Sequence, residues 1–129
     1  MNINFKNSSL EDRIFIKNQI KEYLETNNLA GAEIFIDTYE SKYYNDIEIY
    51  SFKGILNVLK NDFKSAENIL KEGLKITNDN FDLNYNLGFV YENLNQNELA
   101  IKYYGIALTN TSSECIKTQI KSLLSNLIK

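Results

Sequence analysis

Apolar and polar positions along the chain repeat at an interval of 34 residues. Within each interval, apolar residues recur every three or four positions, which is the spacing of an amphipathic helix. A fixed period of this length is typical of stacked helical hairpins. The recurrence is clearest for small residues and for the residues of the turns: Ala32, Ala66 and Ala100; Gly54 and Gly88; Asn27, Asn61 and Asn95. The pattern therefore predicts an array of similar helical units.

The same pattern predicts seven helices, separated by turns without proline, a residue that the chain lacks. Ser8 and Glu11 have the spacing of a capping box and would open the first helix. Asn27 tolerates a left-handed backbone and would end that helix. Thr111 and Glu114 have the same capping-box spacing before the last helix. The other six helices are predicted at about 29–40, 47–60, 63–76, 81–94, 98–108 and 113–128.

Small side chains at matched positions explain how neighbouring helices would pack. Two antiparallel helices approach closely only where the facing side chains leave room. Glycine inside a helix costs about 0.5–1 kcal/mol relative to alanine, so two glycines at equivalent positions indicate a packing need. The residues expected to pack the second and third units are Gly54, Ala66, Gly73, Leu87, Gly88, Tyr91, Ala100, Tyr104 and Ala107.

These packing residues make the chain resemble the tetratricopeptide repeat family. The third unit carries the family's pattern most fully, at Leu87, Gly88, Tyr91, Ala100, Tyr104 and Ala107. The second unit carries part of it, at Gly54, Ala66, Leu70 and Gly73. The first unit is degenerate, because Ile20 stands where the family has glycine. The proline that the family has near the end of each repeat is absent from all three units.

The resemblance implies one domain over residues 1–129 with an all-α fold. It would be a right-handed α-solenoid of three helix-turn-helix repeats, at about 13–46, 47–80 and 81–114. A capping helix at about 113–128 would cover the last repeat.

Composition and charge narrow the classes of function. Apolar residues make up 43% of the chain and charged residues 24%, which is ordinary for a globular protein. The net charge of −3, a single arginine and the lack of a basic run argue against nucleic-acid binding. No apolar stretch is long enough for a membrane span, and the N-terminal segment, residues 1–6, lacks the layout of a signal peptide. We therefore expect a cytoplasmic protein without a membrane partner, and the abundance of Asn, Lys and Ile suggests a bacterial source.

The residues needed for common enzymatic sites are missing from the sequence. There is no histidine, which removes Ser-His-Asp and Cys-His catalysis and most zinc sites. Cys115 is the single cysteine, and we interpret it as a small, half-buried residue. No glycine-rich phosphate loop occurs. We expect no enzymatic activity, no cofactor and no metal.

The resemblance implies that the first helix of each unit lines a concave groove. Lys17 and Lys21 would guide a charged ligand at one end of it. Apolar contacts to a bound peptide would come from Phe52, Ile55, Tyr85 and Phe89, since aromatic anchors are common in peptide grooves. The competing interpretation is that residues such as Ile55 and Phe89 pack against neighbouring helices. Asp82 would repel the carboxylate that some members of the family clamp, so we do not expect that mode of binding.

The sequence leaves other functions open beside a peptide-binding adaptor. Tyr39, Tyr43 and Tyr44 cluster near the end of the degenerate first unit, where an exposed edge would support a homodimer. The chain would then be a self-associating structural module. It would also suit a non-catalytic accessory to a partner enzyme such as a glycosyltransferase.

Overall fold

The computed structural model describes the backbone of residues 5–129 and the side chains of residues 9–129, and every regular element in this part of the chain is helical. The expected all-α solenoid is thereby confirmed. Residues 1–4, which belong to the segment tested for a signal peptide, lie outside the described part. The helices are α1 Phe5–Glu25, α2 Leu29–Lys42, α3 Glu48–Leu59, α4 Phe63–Ile76, α5 Phe81–Asn93, α6 Asn97–Thr109 and α7 Glu114–Ile128.

The two predicted capping boxes are wrong. Ser8 lies inside α1, which begins at Phe5, so it cannot cap the start of that helix. Before α7 the cap is Ser113, whose side chain accepts a hydrogen bond from the backbone N–H of Ile116 at 3.3 Å. The hydroxyl of Thr111 instead accepts from the N–H of Ser113. Before α7 the spacing rule failed because Ser113, two positions after Thr111, caps the helix instead.

The turn inside each helical hairpin has one geometry, repeated three times. Asn27, Asn61 and Asn95 adopt the left-handed backbone, with φ of 59°, 60° and 59°. The residue after each asparagine donates its backbone N–H to the carbonyl five positions earlier, at 2.7–2.9 Å. This is the Schellman ending of a helix, and asparagine is the commonest choice there after glycine. The expected left-handed asparagine is therefore observed in all three units.

Large side chains fill the space above two of the glycines. A Cβ atom at Gly54 would lie 2.5 Å from the side chain of Leu70, and one at Gly88 would lie 2.7 Å from the ring of Tyr104. The two pairs are separated by the 34-residue period, so they are the same packing feature in successive units. Each glycine thus receives a large residue of the second helix in its own hairpin.

The first unit packs differently at this position. Ile20 stands at the glycine position and Ile36 at the position of the large residue, and both are buried. Successive units are joined by Gly73, where a Cβ atom would lie 2.9 Å from both Tyr50 and Leu83. The helices α1, α3 and α5 lie side by side, with α3 in contact with both of the others.

Candidate functional site

A groove runs across the first helices of the three units. It encloses a cavity of about 310 Å³. The residues that line it are Lys21, Leu24 and Glu25 of α1, Glu48, Ser51, Phe52, Ile55 and Leu59 of α3, and Asp82 of α5. The floor of this cavity is apolar, and the charged side chains of its lining lie at the rim.

The floor is built from side chains that also belong to the core of the first two units. Phe52 is only 4% exposed and meets the ring of Tyr39 edge-on, with 6.3 Å between ring centroids. Leu24 is also buried, whereas Ile55 and Leu59 are half-buried. The floor therefore offers a ligand chiefly Ile55 and Leu59, while Phe52 fixes the depth of the cavity.

Three of the six groove residues expected from the sequence line this cavity, and three do not. Lys21, Phe52 and Ile55 meet there. Tyr85 lies between Phe81 and Tyr104, with 5.6 Å between the ring centroids in each pair. Phe89 lies further along α5 and is 39% exposed, and Lys17 lies outside the lining as well. The expected apolar band from α3 to α5 is consequently shorter than the sequence suggested.

Lys17 is held by carboxylates of this chain. Its ammonium group lies 2.9 Å from Asp46 and 3.6 Å from Glu48. Asp46 also accepts a hydrogen bond from the hydroxyl of Tyr39 and one from the backbone N–H of Glu48. These contacts connect α1 and α2 to the start of α3, and they keep Lys17 from acting as a free charge in the groove.

The ionisation of this cluster follows from its contacts. Burial alone would raise the pKa of Asp46, but the hydrogen bonds from Tyr39 and Lys17 outweigh burial and lower it. Burial and the same hydrogen bond to Asp46 raise the pKa of Tyr39 far above its usual value. Asp46 is therefore a carboxylate and Tyr39 a neutral donor at neutral pH, which keeps the Lys17 pair intact.

The rim of the cavity carries one lysine and three carboxylates. Lys21, Glu25 and Asp82 are exposed, and Glu48 is half-buried beside Lys17. Sequence reasoning considered Asp82 as a charge facing the ligand but missed Glu25. The signal was available, because Glu25 follows Lys21 by four positions and so lies on the same face of α1.

The other depressions found on the described residues are either smaller or more open than this cavity. A larger and more open depression of about 470 Å³ lies on α4, and its lining is polar except for Ile69. Within residues 9–129, no group of three or more Asp, Glu or Cys side chains is arranged to hold a metal ion. Across the helices described, none has the length and apolar content that crossing a bilayer requires.

The tyrosine cluster of the first unit is mostly engaged inside the molecule. Tyr39 is fully buried. Tyr43 donates a hydrogen bond to Asp12 at 2.7 Å and lies under the guanidinium of Arg13 at 4.5 Å from its ring centroid. Of the three, Tyr44 alone is largely exposed, at 74%. The expected dimer edge thus reduces to a single aromatic side chain.

Comparison with known proteins shows which part of the chain is similar to a known family. The tetratricopeptide repeat family matches residues 81–109. CDC16, a subunit of the anaphase-promoting complex of Saccharomyces cerevisiae, is 29% identical over 94 residues. That match covers 67% of this chain but only 11% of CDC16, so the chain spans about a tenth of the length of this relative.

Two solved structures share the fold. The tetratricopeptide repeat domain of Arabidopsis OM64 has a TM-score of 0.72 and 15% identity, covering 90% of this chain and 96% of that one. PcrH, solved in complex with the chaperone binding region of PopD, has a TM-score of 0.77 and 10% identity, covering 99% of this chain and 97% of that one. At such identities the likeness concerns the fold.

Proposed function

Because the chain folds as a stack of tetratricopeptide-type helical hairpins, we propose that it is a protein–protein interaction adaptor that binds a peptide segment in the groove across α1, α3 and α5. The observation that carries this proposal is the 310 Å³ cavity with an apolar floor on the inner helices. Ligand sites are concave and mainly apolar, with a few polar groups that orient the ligand.

The floor provides the energy of binding and the rim its orientation. Ile55 and Leu59 are half-buried, so part of their apolar surface still contacts water and would be covered by a side chain of the ligand. Ser51 is buried at the edge of the cavity and accepts a long hydrogen bond of 3.4 Å from Asn86. A peptide with one or two large apolar residues suits these dimensions.

The similar proteins support a role in protein–protein interaction. PcrH was solved with a region of a second protein, PopD, and CDC16 is a subunit of a larger complex. Neither likeness names a partner for this chain. The proposal therefore concerns a peptide or protein ligand, with the groove as its site.

The groove is tested by placing a polar side chain in its floor. Ile55→Asn should weaken binding of peptides selected from a displayed library by at least about tenfold, because an amide would be desolvated against the ligand. Ile34→Asn is the matched control, since Ile34 is 64% exposed on α2, outside the cavity. Circular dichroism would establish that both variants remain helical, and calorimetry would measure the affinities.

Chemical-shift mapping would locate the bound peptide. Titration of the isotope-labelled protein should perturb backbone amides of α1, α3 and the start of α5. Shifts confined to α4, α6 or α7, or equal binding by the two asparagine variants, would contradict the groove.

Self-association is the second candidate, favoured by apolar side chains on the outer part of α1. Leu10, Ile14 and Phe15 are at least half exposed. A homodimer would cover them, because exposed apolar patches mark interaction surfaces. Light scattering over a range of concentrations tests self-association, because a constant monomer mass would exclude it.

A further inference from the structure

We infer that the ligand of the groove is an apolar peptide segment carrying lysine or arginine, not an acidic segment or a free C-terminal carboxylate. This inference rests on the proposed function and adds the charge of the ligand to it. Sequence reasoning gave the groove a basic end at Lys17 and Lys21. The contacts of the rim reverse the sign of the charge that a ligand would meet.

One of the two lysines expected to guide a ligand is neutralised. Lys17 is paired with Asp46 at 2.9 Å and with Glu48 at 3.6 Å, so its charge is already balanced by this chain. Lys21 remains exposed on the rim. Along the cavity, one free cation is therefore available to an acidic ligand.

Two of the three carboxylates on the rim are available to a ligand. Glu25 and Asp82 form no ion pair with any residue of 9–129, and both are exposed. Glu48 shares Lys17 with the nearer Asp46. Counted over the lining, carboxylates exceed free cations, so the potential above the apolar floor favours a positive ligand.

The helix dipole stabilises the negative charge of two of these carboxylates but not of the third. Glu48 and Asp82 lie in the first turns of α3 and α5, where a negative charge is stabilised by the helix. Glu25 is the last residue of α1, where the dipole opposes a negative charge. Lys21 precedes it by four positions, in the less favourable order for such a pair, and no ion pair forms between them.

A cationic ligand would therefore make an apolar contact and a favourable charge contact in the same cavity. Its apolar side chain would cover Ile55 and Leu59, and its ammonium or guanidinium group would lie near Glu25 or Asp82. An acidic ligand would gain the same apolar contact but meet repulsion at both carboxylates. Specificity would thus come from the penalty on the wrong charge as much as from attraction of the right one.

Two synthetic probes separate these cases. Both carry leucine and phenylalanine at the same positions, and they differ only in having lysine or glutamate between them. Fluorescence anisotropy at low salt should show the lysine probe binding at least about tenfold more tightly than the glutamate probe. The difference should shrink at high salt, since exposed charges are screened.

The carboxylates are tested directly with Glu25→Gln and Asp82→Asn in one chain. The lysine probe should lose about three- to tenfold in affinity, which lies within the range expected for two exposed ion pairs. The matched control is Asp37→Asn with Glu98→Gln, which makes the same change of charge on α2 and in the first turn of α6. The control should bind the probe as the parent does.

The outcomes distinguish this inference from the proposed function. If the glutamate probe binds as well as the lysine probe, and Ile55→Asn still abolishes binding, the groove stands and the inferred charge is overturned. Binding of the lysine probe that Ile55→Asn does not weaken overturns both. If neither probe binds, the test uses the library-selected peptides whose binding is weakened by Ile55→Asn. An excess of lysine and arginine in these peptides supports the inferred charge, and an excess of aspartate and glutamate overturns it.

Discussion

At the scale of single residues, the molecule depends on positions where a missing side chain makes room for a large one. The ring of Tyr104 occupies the place where a side chain of Gly88 would begin, at 2.7 Å from the ideal Cβ position. Tyr104 is held there by a hydrogen bond from its hydroxyl to Glu92 at 2.8 Å. Because both ends of this ring are fixed, it has little freedom to move away from an added atom.

Gly88→Ala should therefore destabilise the protein, although alanine is the better helix former. Overpacking of this kind costs about 1–3 kcal/mol in the free energy of unfolding. Gly105 is the matched control, because no neighbouring atom lies within 4 Å of its Cβ position. Gly105→Ala should stabilise by about 0.5–1 kcal/mol through helix propensity alone. Urea unfolding of the two variants should give shifts of opposite sign; shifts of the same sign would refute the packing role.

A second residue-scale feature is the buried carboxylate of Glu67, in the second helix of the middle unit. Lys64 donates a hydrogen bond to it at 2.7 Å, and Lys71 lies 3.3 Å away. The contact with Lys64 outweighs the opposing effect of burial, and with further help from Tyr91 and Lys71 it lowers the pKa of Glu67 to about 2, from 4.5. The charged form is thus stabilised by folding.

This pKa predicts how stability changes in acid. A carboxylate whose pKa is lowered by folding contributes fully above the unfolded value of 4.5, and the contribution is lost as pH falls toward about 2. Glu67→Gln should be less stable than the parent at neutral pH, and the gap should narrow between pH 4.5 and 2. Glu72→Gln, at an exposed position on the same helix, is the control and should change stability only slightly at neutral pH. Thermal melts across this range make the comparison.

At the scale of elements, each hairpin is closed by an asparagine in the left-handed conformation. Asn61 has φ of 60°, and Asp62 after it caps α4 by accepting a hydrogen bond from the N–H of Ser65. One residue thus ends a helix and the next begins the following one. The third unit uses Gln96 at the capping position, where no side-chain cap forms.

The backbone at Asn61 can be tested by changing only its conformational preference. Asn61→Ala should lower the free energy of unfolding by about 1 kcal/mol, because a Cβ-bearing residue without a local hydrogen-bonding group resists this conformation. Asn61→Gly should be neutral or stabilising, since glycine adopts positive φ without strain. Equal stability of the alanine and glycine variants would show that the conformation is not strained for alanine.

At the scale of the whole molecule, the array is held by contacts between neighbouring hairpins. One buried cluster covers α1, α2 and α3, and another extends from α4 to α7. The last helix packs through Ile120, which is fully buried, while Ile128 is 70% exposed at its end. In such arrays a terminal helix shields the apolar face of the last repeat.

Removal of α7 should therefore expose apolar surface on α6. A chain ending at Ser113 should melt at lower temperature than the parent and form larger species in light scattering. Ile128→Ser in the full chain is the control, because it changes an exposed residue of the same helix and should leave both measurements unchanged. A truncated chain that stays monomeric with the parent's melting temperature would contradict the shielding role.

Local sequence patterns were sufficient to predict the helices, the hairpin turns and the close helix packing at Gly54 and Gly88. They were predictable because each depends on residues a few positions apart: the spacing of apolar residues defines a helix, and Asn27, Asn61 and Asn95 end helices through their own conformational preferences. The period of 34 residues extended this local information to the whole array. The capping box before α7 failed because Ser113, two positions beyond Thr111, supplies the cap instead.

The charge of the groove was decided by the tertiary structure. Lys17 looked free in the sequence, but Asp46, 29 positions later, pairs with it once α1 and α3 are side by side. Tyr85 and Phe89 were expected to contact the ligand, but Tyr85 packs against Tyr104 and neither residue lines the cavity. Pairings between residues distant in the chain depend on helix positions and side-chain directions, which periodicity alone does not specify.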